Sequence, residues 1–146
     1  MKQPHGSHLR KGRVSITGQV YSITTVTADR VRVFSNFYNA RALVQVLKEQ
    51  ALLRRADTLA YVIMPDHLHW LVQLCEYQDI SDVVGSMKSI SARRIGRPIW
   101  QSGFHDHALR AEENVRHFAR YIIANPLRAG LVSRVSDYPH WDAVWL

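Results

Sequence analysis

The sequence predicts an α+β domain built on an antiparallel β-sheet. Residues 18–27 alternate polar and β-branched or aromatic side chains, which is typical of a strand with one buried face. Residues 59–64 and 67–74 are two apolar runs separated only by Pro65-Asp66, which predicts two strands joined by a tight turn. Elsewhere apolar residues recur at helical spacing, so helices should cover the sheet.

The first half of the chain predicts a tail, a strand and a helix. Residues 1–15 are polar, basic and aperiodic, and we interpret them as an N-terminal tail that precedes the strand at 18–27. Ser35 or Asn36 can cap the first helix. Its predicted apolar face consists of Phe37, Ala40, Val44, Leu47 and Ala51.

The second half of the chain completes the pattern. Asp79 or Ser81 begins a second helix that ends near Gly96, residues 104–110 form a fourth strand, and a third helix runs from Glu112 or Glu113 to about Ala124. The order β-α-β-β-α-β-α is that of a ferredoxin-like split βαβ sheet, with helices on one face plus a C-terminal helix. We therefore predict one domain over 16–132 and a C-terminal tail over 133–146.

Composition and charge limit the classes of function that are expected. The chain has 146 residues, of which 47% are hydrophobic, and it has no run long enough to cross a membrane and no apolar leader at its N-terminus, so we expect a cytoplasmic protein without a membrane partner. The formal net charge of +7 favours a polyanionic partner. The candidate phosphate-binding residues are Arg10, Lys11, Arg13, Lys88, Arg93, Arg94, Arg97, His107, Arg110 and Arg128.

Two histidines open the strand at 67–74. His67 and His69 are two residues apart, so their side chains leave the strand on the same face. Neutral imidazoles are good ligands for divalent transition metals and tolerate Mg²⁺ or Mn²⁺ when oxygen ligands complete the shell. The pair is a candidate metal site, although two polar residues at a strand end are also an ordinary structural feature.

The third predicted helix carries Tyr121 and, four residues later, Asn125. We predict that Val115, Phe118, Ala119 and Ile122 face inward, which leaves Tyr121 and Asn125 at the edge of the helix. A tyrosine hydroxyl attacks phosphorus only with help from a base or a metal. Asn125 could be a third metal ligand beside His67 and His69, or it could simply cap the end of the helix before Pro126.

The ordered combination of segments resembles a known family, the HUH endonucleases with one catalytic tyrosine, and within it the REP-associated tyrosine transposases. His67-Leu68-His69 is similar to the His-hydrophobic-His signature of the family. The segments 100–107, WQSGFHDH, and 121–132, YIIANPLRAGLV, resemble the segment before its last strand and its tyrosine helix.

The resemblance implies cleavage and rejoining of single-stranded DNA at hairpin-containing repeats of the REP type. His67 and His69, with Asn125 in place of the Gln found in many insertion-sequence relatives, would hold Mg²⁺ or Mn²⁺. Tyr121 would form a 5′-phosphotyrosine link. Members associated with REP sequences resemble self-contained monomers, so we expect a monomer, with a dimer that completes the site in trans as the alternative.

Three alternatives stay open from the sequence. His105 and His107 are also two residues apart and form a rival metal pair, although DNA contact or a structural role suits a strand with Asp106 between them better. A ferredoxin-like sheet could bind single-stranded nucleic acid without catalysis. A nucleotide hydrolase with three alternating histidines is disfavoured, because position 71 is Leu.

Overall fold

The computed structural model describes residues 18–110 and 114–145. Within these ranges, five antiparallel strands form one sheet in the order β4-β1-β3-β2-β5. The strands are β1 Val20–Val26, β2 Ala56–Met64, β3 His67–Leu74, β4 His105–Ala108 and β5 Trp141–Ala143. The predicted α+β sheet is confirmed, and the histidine-bearing strand β3 is its central strand.

In the described part of the chain, four α-helices accompany the sheet: α1 Phe37–Leu52, α2 Ile80–Ile95, α3 Val115–Ile123 and α4 Asn125–Arg128. The side chains of Asn36, Asp79 and Asn114 accept hydrogen bonds from backbone N–H groups in the first turns of α1, α2 and α3. Gly96 ends α2 with a φ of 98°, a left-handed conformation that glycine adopts without steric cost. Within the described residues, no helix combines the length and apolar character needed to cross a membrane.

The fifth strand lies in the segment that we interpreted as a C-terminal tail. Trp141–Ala143 pairs with the outer edge of β2, with Ala143 opposite Ala60 and Trp141 opposite Val62. The sequence did not reveal this strand because three residues are too short for any period to be recognised. Its pairing covers the edge of β2, which would otherwise present unpaired backbone groups.

The two faces of the sheet bury different helices. The first face carries alternate residues such as Ile23, Ile63 and Trp70, which pack with α1 and α2 in the larger core. The second face carries Ala60 and Leu71, which pack with α3. Because side chains alternate along a strand, His67 and His69 share the second face with Leu71. The two histidines and the helix that bears Tyr121 are therefore on the same side of the sheet.

Two details of the predicted helices were wrong or lie outside the described residues. Phe37 and Ala51 were assigned to the buried face of α1, but both are exposed. The Phe37 ring contacts Tyr38 and His140 instead of the core, and Gln50 is the buried residue of the last turn. Ala40, Val44 and Leu47 are buried as predicted. The predicted start of α3 at Glu112 or Glu113 lies outside the described residues, and the described part of the helix begins at Val115.

Candidate active site

His67 and His69 stand at the start of β3, next to the turn that joins it to β2. The antiparallel register places His69 between Thr24 of β1 and Val62 of β2, and His67 between Val26 and Met64. The two imidazole rings stand edge to face, with 4.8 Å between their centres and 88° between their planes. The central strand thus holds two imidazoles side by side on one face, as the spacing predicted.

Each imidazole is oriented by a hydrogen bond to its Nδ1 atom. His67 Nδ1 donates to Asp66 Oδ1 at 2.7 Å, and Asp66 also forms an ion pair with Arg30 at 3.3 Å. His69 Nδ1 lies 3.1 Å from Thr24 Oγ1. Hydrogen bonds of this kind fix the tautomer of a metal-binding histidine and direct its other nitrogen at the ion. The carboxylate can only accept, so His67 carries its proton on Nδ1 when neutral, and Nε2 is the nitrogen of each ring that these contacts leave for another partner.

The electrostatic environment keeps His69 neutral. Burial disfavours its charged form, and the nearby charges of His67 and Arg128 add to this effect, which together lower the pKa of His69 to about 4. At Asp66, partial burial favours the protonated form, but the hydrogen bond from His67 and the charges of His67 and Arg30 outweigh it and lower the pKa. His69 is a neutral imidazole, and His67 is an imidazole hydrogen-bonded to a carboxylate. Side chains of these two kinds can bind a cation together.

Tyr121 lies on α3, which packs across the second face of the sheet. Ala119 and Ile122 are buried against Ala60 and Leu71 and attach the helix to the sheet. Full burial of a side chain such as Ile122 stabilises the packing by about 1.5–3 kcal/mol. Tyr121 lies outside this buried stripe, and 62% of its surface is exposed. Its hydroxyl is thus carried by a fixed helix but remains accessible to a substrate.

Arg128 contacts the ring of Tyr121 and also acts electrostatically on His69. Its guanidinium carbon lies 4.0 Å from the centre of the Tyr121 ring, in the geometry of a cation–π contact. The same positive charge acts on His69. Arg128 was predicted only as a phosphate-binding residue, and its stacking on Tyr121 was not visible in the sequence.

Asn125 lies at the junction between two helices. α3 ends at Ile123, and Asn125 begins the short helix α4. Its side-chain Nδ2 donates to the carbonyl oxygen of Ile122 at 2.7 Å, so the amide caps the end of α3. The amide oxygen is the atom that remains for a cation. Capping and metal binding, the two roles left open by the sequence, are compatible at this residue.

The other predicted contact residues are distributed over the molecule. Arg94 forms a double hydrogen bond with Glu49 at 2.6 and 2.8 Å, and Lys88 donates to the backbone of Gln101 and Gly103, so both serve contacts within the chain. His107 stacks on Phe118, with ring centres 5.9 Å apart. Arg93, Arg97, Arg110 and Arg128, which were also predicted as phosphate contacts, are exposed. Arg10, Lys11 and Arg13 lie outside the described residues.

The rival pair on β4 differs from the pair on β3. His107 is engaged by the Phe118 ring, whereas the side chain of His105 is exposed at the edge strand. Across 18–110 and 114–145, no group of three or more His, Cys, Asp or Glu side chains is placed to hold a metal. A cation at His67 and His69 would therefore draw its remaining ligands from amide oxygens, water or substrate.

The geometry agrees with the comparison with known protein families. A family model for IS200-like transposases matches residues 15–122, a range that includes both histidines of β3 and Tyr121. The chain belongs to this transposase family. Asn125 and Arg128 lie just beyond the matched range.

Two relatives in this transposase family are REP-associated. The REP-associated tyrosine transposase of Escherichia coli K12 is 37% identical over 100 residues, which are 67% of this chain and 58% of that protein. The match thus spans less than two thirds of the E. coli protein. A provisionally named REP-associated tyrosine transposase of Haemophilus influenzae is 27% identical over 139 residues, 84% of this chain and 78% of that protein.

Solved structures of transposases share the fold. A REP-associated tyrosine transposase bound to a REP hairpin superposes with a TM-score of 0.72 at 30% identity, covering 88% of this chain and 79% of that one. A provisionally named transposase from Deinococcus radiodurans R1 gives a TM-score of 0.54 at 25% identity, covering 78% and 95%. These matches confirm the resemblance to REP-associated transposases that the sequence indicated.

Sequence reasoning missed two supporting residues of this transposase. Thr24 lies 45 positions before His69 and is brought to it only by the pairing of β1 with β3. Asp66 was interpreted as a turn residue, although its position directly before His67 was a signal that could have been used, because a carboxylate often orients a metal-binding histidine.

Proposed function

We propose that this chain is a metal-dependent single-stranded DNA endonuclease and strand transferase that acts at hairpin-containing repeats. The observation that carries the proposal is the placement of Tyr121 on a helix packed over the face of the sheet that presents His67 and His69. Arg128, which stacks on the tyrosine and acts electrostatically on His69, supports the same assignment. Membership of the transposase family agrees with this chemistry.

The residues present fit a divalent cation. Two imidazoles with their Nδ1 atoms held by Asp66 and Thr24 present Nε2 atoms, and the amide oxygen of Asn125 is a hard oxygen donor. We assign these three side chains as the ligands of Mg²⁺ or Mn²⁺, with water and a phosphate oxygen completing the shell. When bound, the cation would polarise the scissile phosphate and offset its developing negative charge.

Tyr121 is the proposed nucleophile. Its Oη attacks phosphorus as the bond from phosphorus to the 3′ oxygen breaks, which gives a 5′-phosphotyrosine link and a free 3′-hydroxyl. Because Tyr121 is largely exposed, its proton can pass to water. Attack by another 3′-hydroxyl breaks the phosphotyrosine bond and rejoins DNA. The number of phosphate ester bonds is conserved, so no external energy source is needed.

The proposed partner is single-stranded DNA folded into a hairpin of the REP type. The structural neighbour bound to a REP hairpin and the net charge of +7 support this assignment. The exposed Arg93, Arg97 and Arg110 are candidate phosphate contacts, as are the basic residues of 1–15. α3 packs on the sheet of its own chain, which supports a monomer whose tyrosine and histidines belong to one molecule.

The proposal is tested by incubating end-labelled hairpin oligonucleotides with the protein and Mg²⁺ or Mn²⁺, followed by a denaturing gel. We expect a cleaved strand and a protein-linked band that disappear in Tyr121→Phe. Tyr77→Phe is the matched control, because Tyr77 is 91% exposed and follows the opposite end of β3. A covalent band that persists in Tyr121→Phe would contradict the assignment. Tight binding with no cleavage over varied hairpins would favour a non-catalytic binding module.

A further inference from the structure

The loop that follows β1 has a strained backbone. Asp29 and Arg30 have φ angles of 55° and 57°, so two consecutive residues other than glycine are left-handed. Aspartate adopts this conformation more readily than most residues, whereas arginine has no such preference. Residues held in unfavourable backbone conformations are concentrated at functional sites, where the surrounding structure enforces them. We call residues 27–31 the strained loop.

Hydrogen bonds hold the strained loop against the turn between β2 and β3. The backbone N–H of Thr27 donates to the carbonyl oxygen of Asp66 at 3.0 Å. The buried Thr27 hydroxyl lies 3.0 Å from the same oxygen and 2.7 Å from the carbonyl oxygen of Val31. On its other side, the N–H of Ala28 donates to the carbonyl oxygen of Ile99 at 2.9 Å. Two segments that are distant in sequence therefore fix the position of the loop.

The fixed loop presents Arg30 to the side chain of Asp66. Arg30 Nη1 donates to Asp66 Oδ2 at 3.3 Å, and Asp66 Oδ1 accepts from His67 Nδ1 at 2.7 Å. The two oxygens of one carboxylate thus have different partners, a guanidinium and an imidazole. Because both contacts restrict rotation of the carboxylate, Arg30 limits the orientations in which Asp66 can meet His67.

Solvent exposure differs along this series of contacts. The side chain of Arg30 is 61% exposed, compared with 25% for Asp66 and 19% for His67. An ion pair with an exposed partner contributes little to stability. A gain in stability is therefore a poor reason for the strained conformation at Arg30. The orientation of His67, at the least exposed end of the series, is a specific reason.

We propose that Arg30 is a positioning residue of the cation site, held against Asp66 by the strained loop. Arg30 fixes the carboxylate, the carboxylate keeps the proton of His67 on Nδ1, and His67 Nε2 is left free to bind the cation. The inference rests on the proposed function and deepens it, because it assigns a residue that acts on a cation ligand through another side chain. Groups in this outer position change metal affinity although they do not bind the metal.

The test measures Mn²⁺ affinity of the full chain by titration calorimetry without DNA. Arg30→Gln should weaken binding by about 2-fold to about 5-fold, because an exposed contact acts here through a second side chain. Arg30→Lys keeps the charge and should recover most of the affinity. Arg30→Gly suits the left-handed backbone but lacks the side chain, so it should lose as much as Arg30→Gln. Because Arg30 is exposed, these variants should keep the core intact, and thermal unfolding checks this.

Two further measurements identify the route through Asp66. In a chain that already carries Asp66→Asn, Arg30→Gln should cause no further loss, since the carboxylate through which it acts is gone. Nitrogen-15 spectra of the metal-free protein report which nitrogen of the neutral His67 ring carries the proton. We expect Nδ1 in the native chain and a larger share of the Nε2 form in Arg30→Gln. Arg32→Gln, which removes an equal charge from an exposed residue just after the loop, should change neither measurement.

The outcomes separate the inference from the proposed function. If the native chain binds Mn²⁺ through His67 and His69 and Arg30→Gln binds it equally well, the inference is overturned and the proposed function stands. Equal losses from Arg30→Gln in the native chain and in Asp66→Asn would also overturn it, because the arginine would then act by another route. If His67→Ala and His69→Ala leave Mn²⁺ affinity unchanged, the cation assignment in the proposed function fails, and the inference fails with it.

Discussion

The guanidinium carbon of Arg128 lies 4.0 Å from the centre of the Tyr121 ring, although the two residues belong to different helices. The contact spans the junction at Ala124, where α3 gives way to α4. It restrains the tyrosine ring and places a permanent positive charge beside it. Since the same charge acts on His69, Arg128 contributes to both halves of the proposed site.

Replacement of Arg128 should slow cleavage more than it weakens DNA binding. We expect Arg128→Gln to lower the rate of covalent adduct formation at saturating DNA by roughly tenfold or more, because the ring loses its restraint and the site loses a charge. Arg128→Lys keeps the charge without the planar stacking group and should retain part of the rate. The exposed Arg97→Gln is the control. A rate loss explained entirely by weaker binding would contradict a role for Arg128 at Tyr121.

Removal of the Asp66 charge should weaken metal binding without removing a ligand. Asp66→Asn replaces the carboxylate that orients His67, and losses of this kind reduce metal affinity by about 10-fold to 100-fold. Titration calorimetry with Mn²⁺ measures the effect directly. Asp29→Asn removes an equal charge from the exposed residue next to Arg30, and it should not change the affinity. Similar losses in both variants would indicate a general charge effect instead.

Thr24→Val should affect the same site through His69. The substitution keeps the shape of the side chain and removes the hydroxyl that lies 3.1 Å from Nδ1, so the imidazole loses its orienting partner. We expect weaker Mn²⁺ binding, by up to about tenfold, with DNA affinity unchanged. Ser22→Ala, which removes a hydroxyl from the same face of β1, serves as the control. Unchanged metal affinity in Thr24→Val would argue against the orienting role.

Stability should fall in mild acid because His140 is buried. Burial and the charge of Arg41 lower its pKa below the usual 6.5, so the unfolded state binds a proton that the folded state does not. The free energy of unfolding should therefore decrease as the pH falls from about 6.5 towards the pKa of the folded state, by at most about 1.4 kcal/mol per pH unit. Urea unfolding at several pH values should show that the free energy of unfolding depends less on pH in His140→Gln than in the native chain. An unchanged dependence in that variant, or an equal effect of the exposed His117→Gln, would contradict this account.

A cavity beneath α3 should impair catalysis beyond its effect on stability. Leu71 is fully buried under Ala119 and Ile122, whereas Leu47 is buried on the other face of the sheet. Each substitution by Ala should cost about 2–5 kcal/mol of unfolding free energy. At a temperature where both variants remain folded, Leu71→Ala should lose more cleavage activity, because it loosens the helix that carries Tyr121. Equal activity losses would contradict this positional effect.

Local patterns predicted most of the fold correctly. The two apolar runs and the tight turn at Pro65-Asp66 predicted the hairpin, and Asn36 and Asp79, each one of two predicted caps, begin their helices. These features depend on neighbours in sequence, where periodicity and hydrogen-bonding side chains act directly. Phe37 was misplaced because helical spacing does not show that its ring packs beside Tyr38 and His140 and not in the core.

The sequence by itself determined that His67 and His69 share one face of a strand, since that follows from strand geometry alone. It also indicated the family, because the histidine and tyrosine segments occur in order along the chain. Only the tertiary structure decided that α3 lies over that face, that Thr24 supports His69, that Arg128 stacks on Tyr121 and that Trp141–Ala143 completes the sheet. Those relationships join distant segments or cross a helix junction, and they depend on packing and strand register that no local pattern encodes.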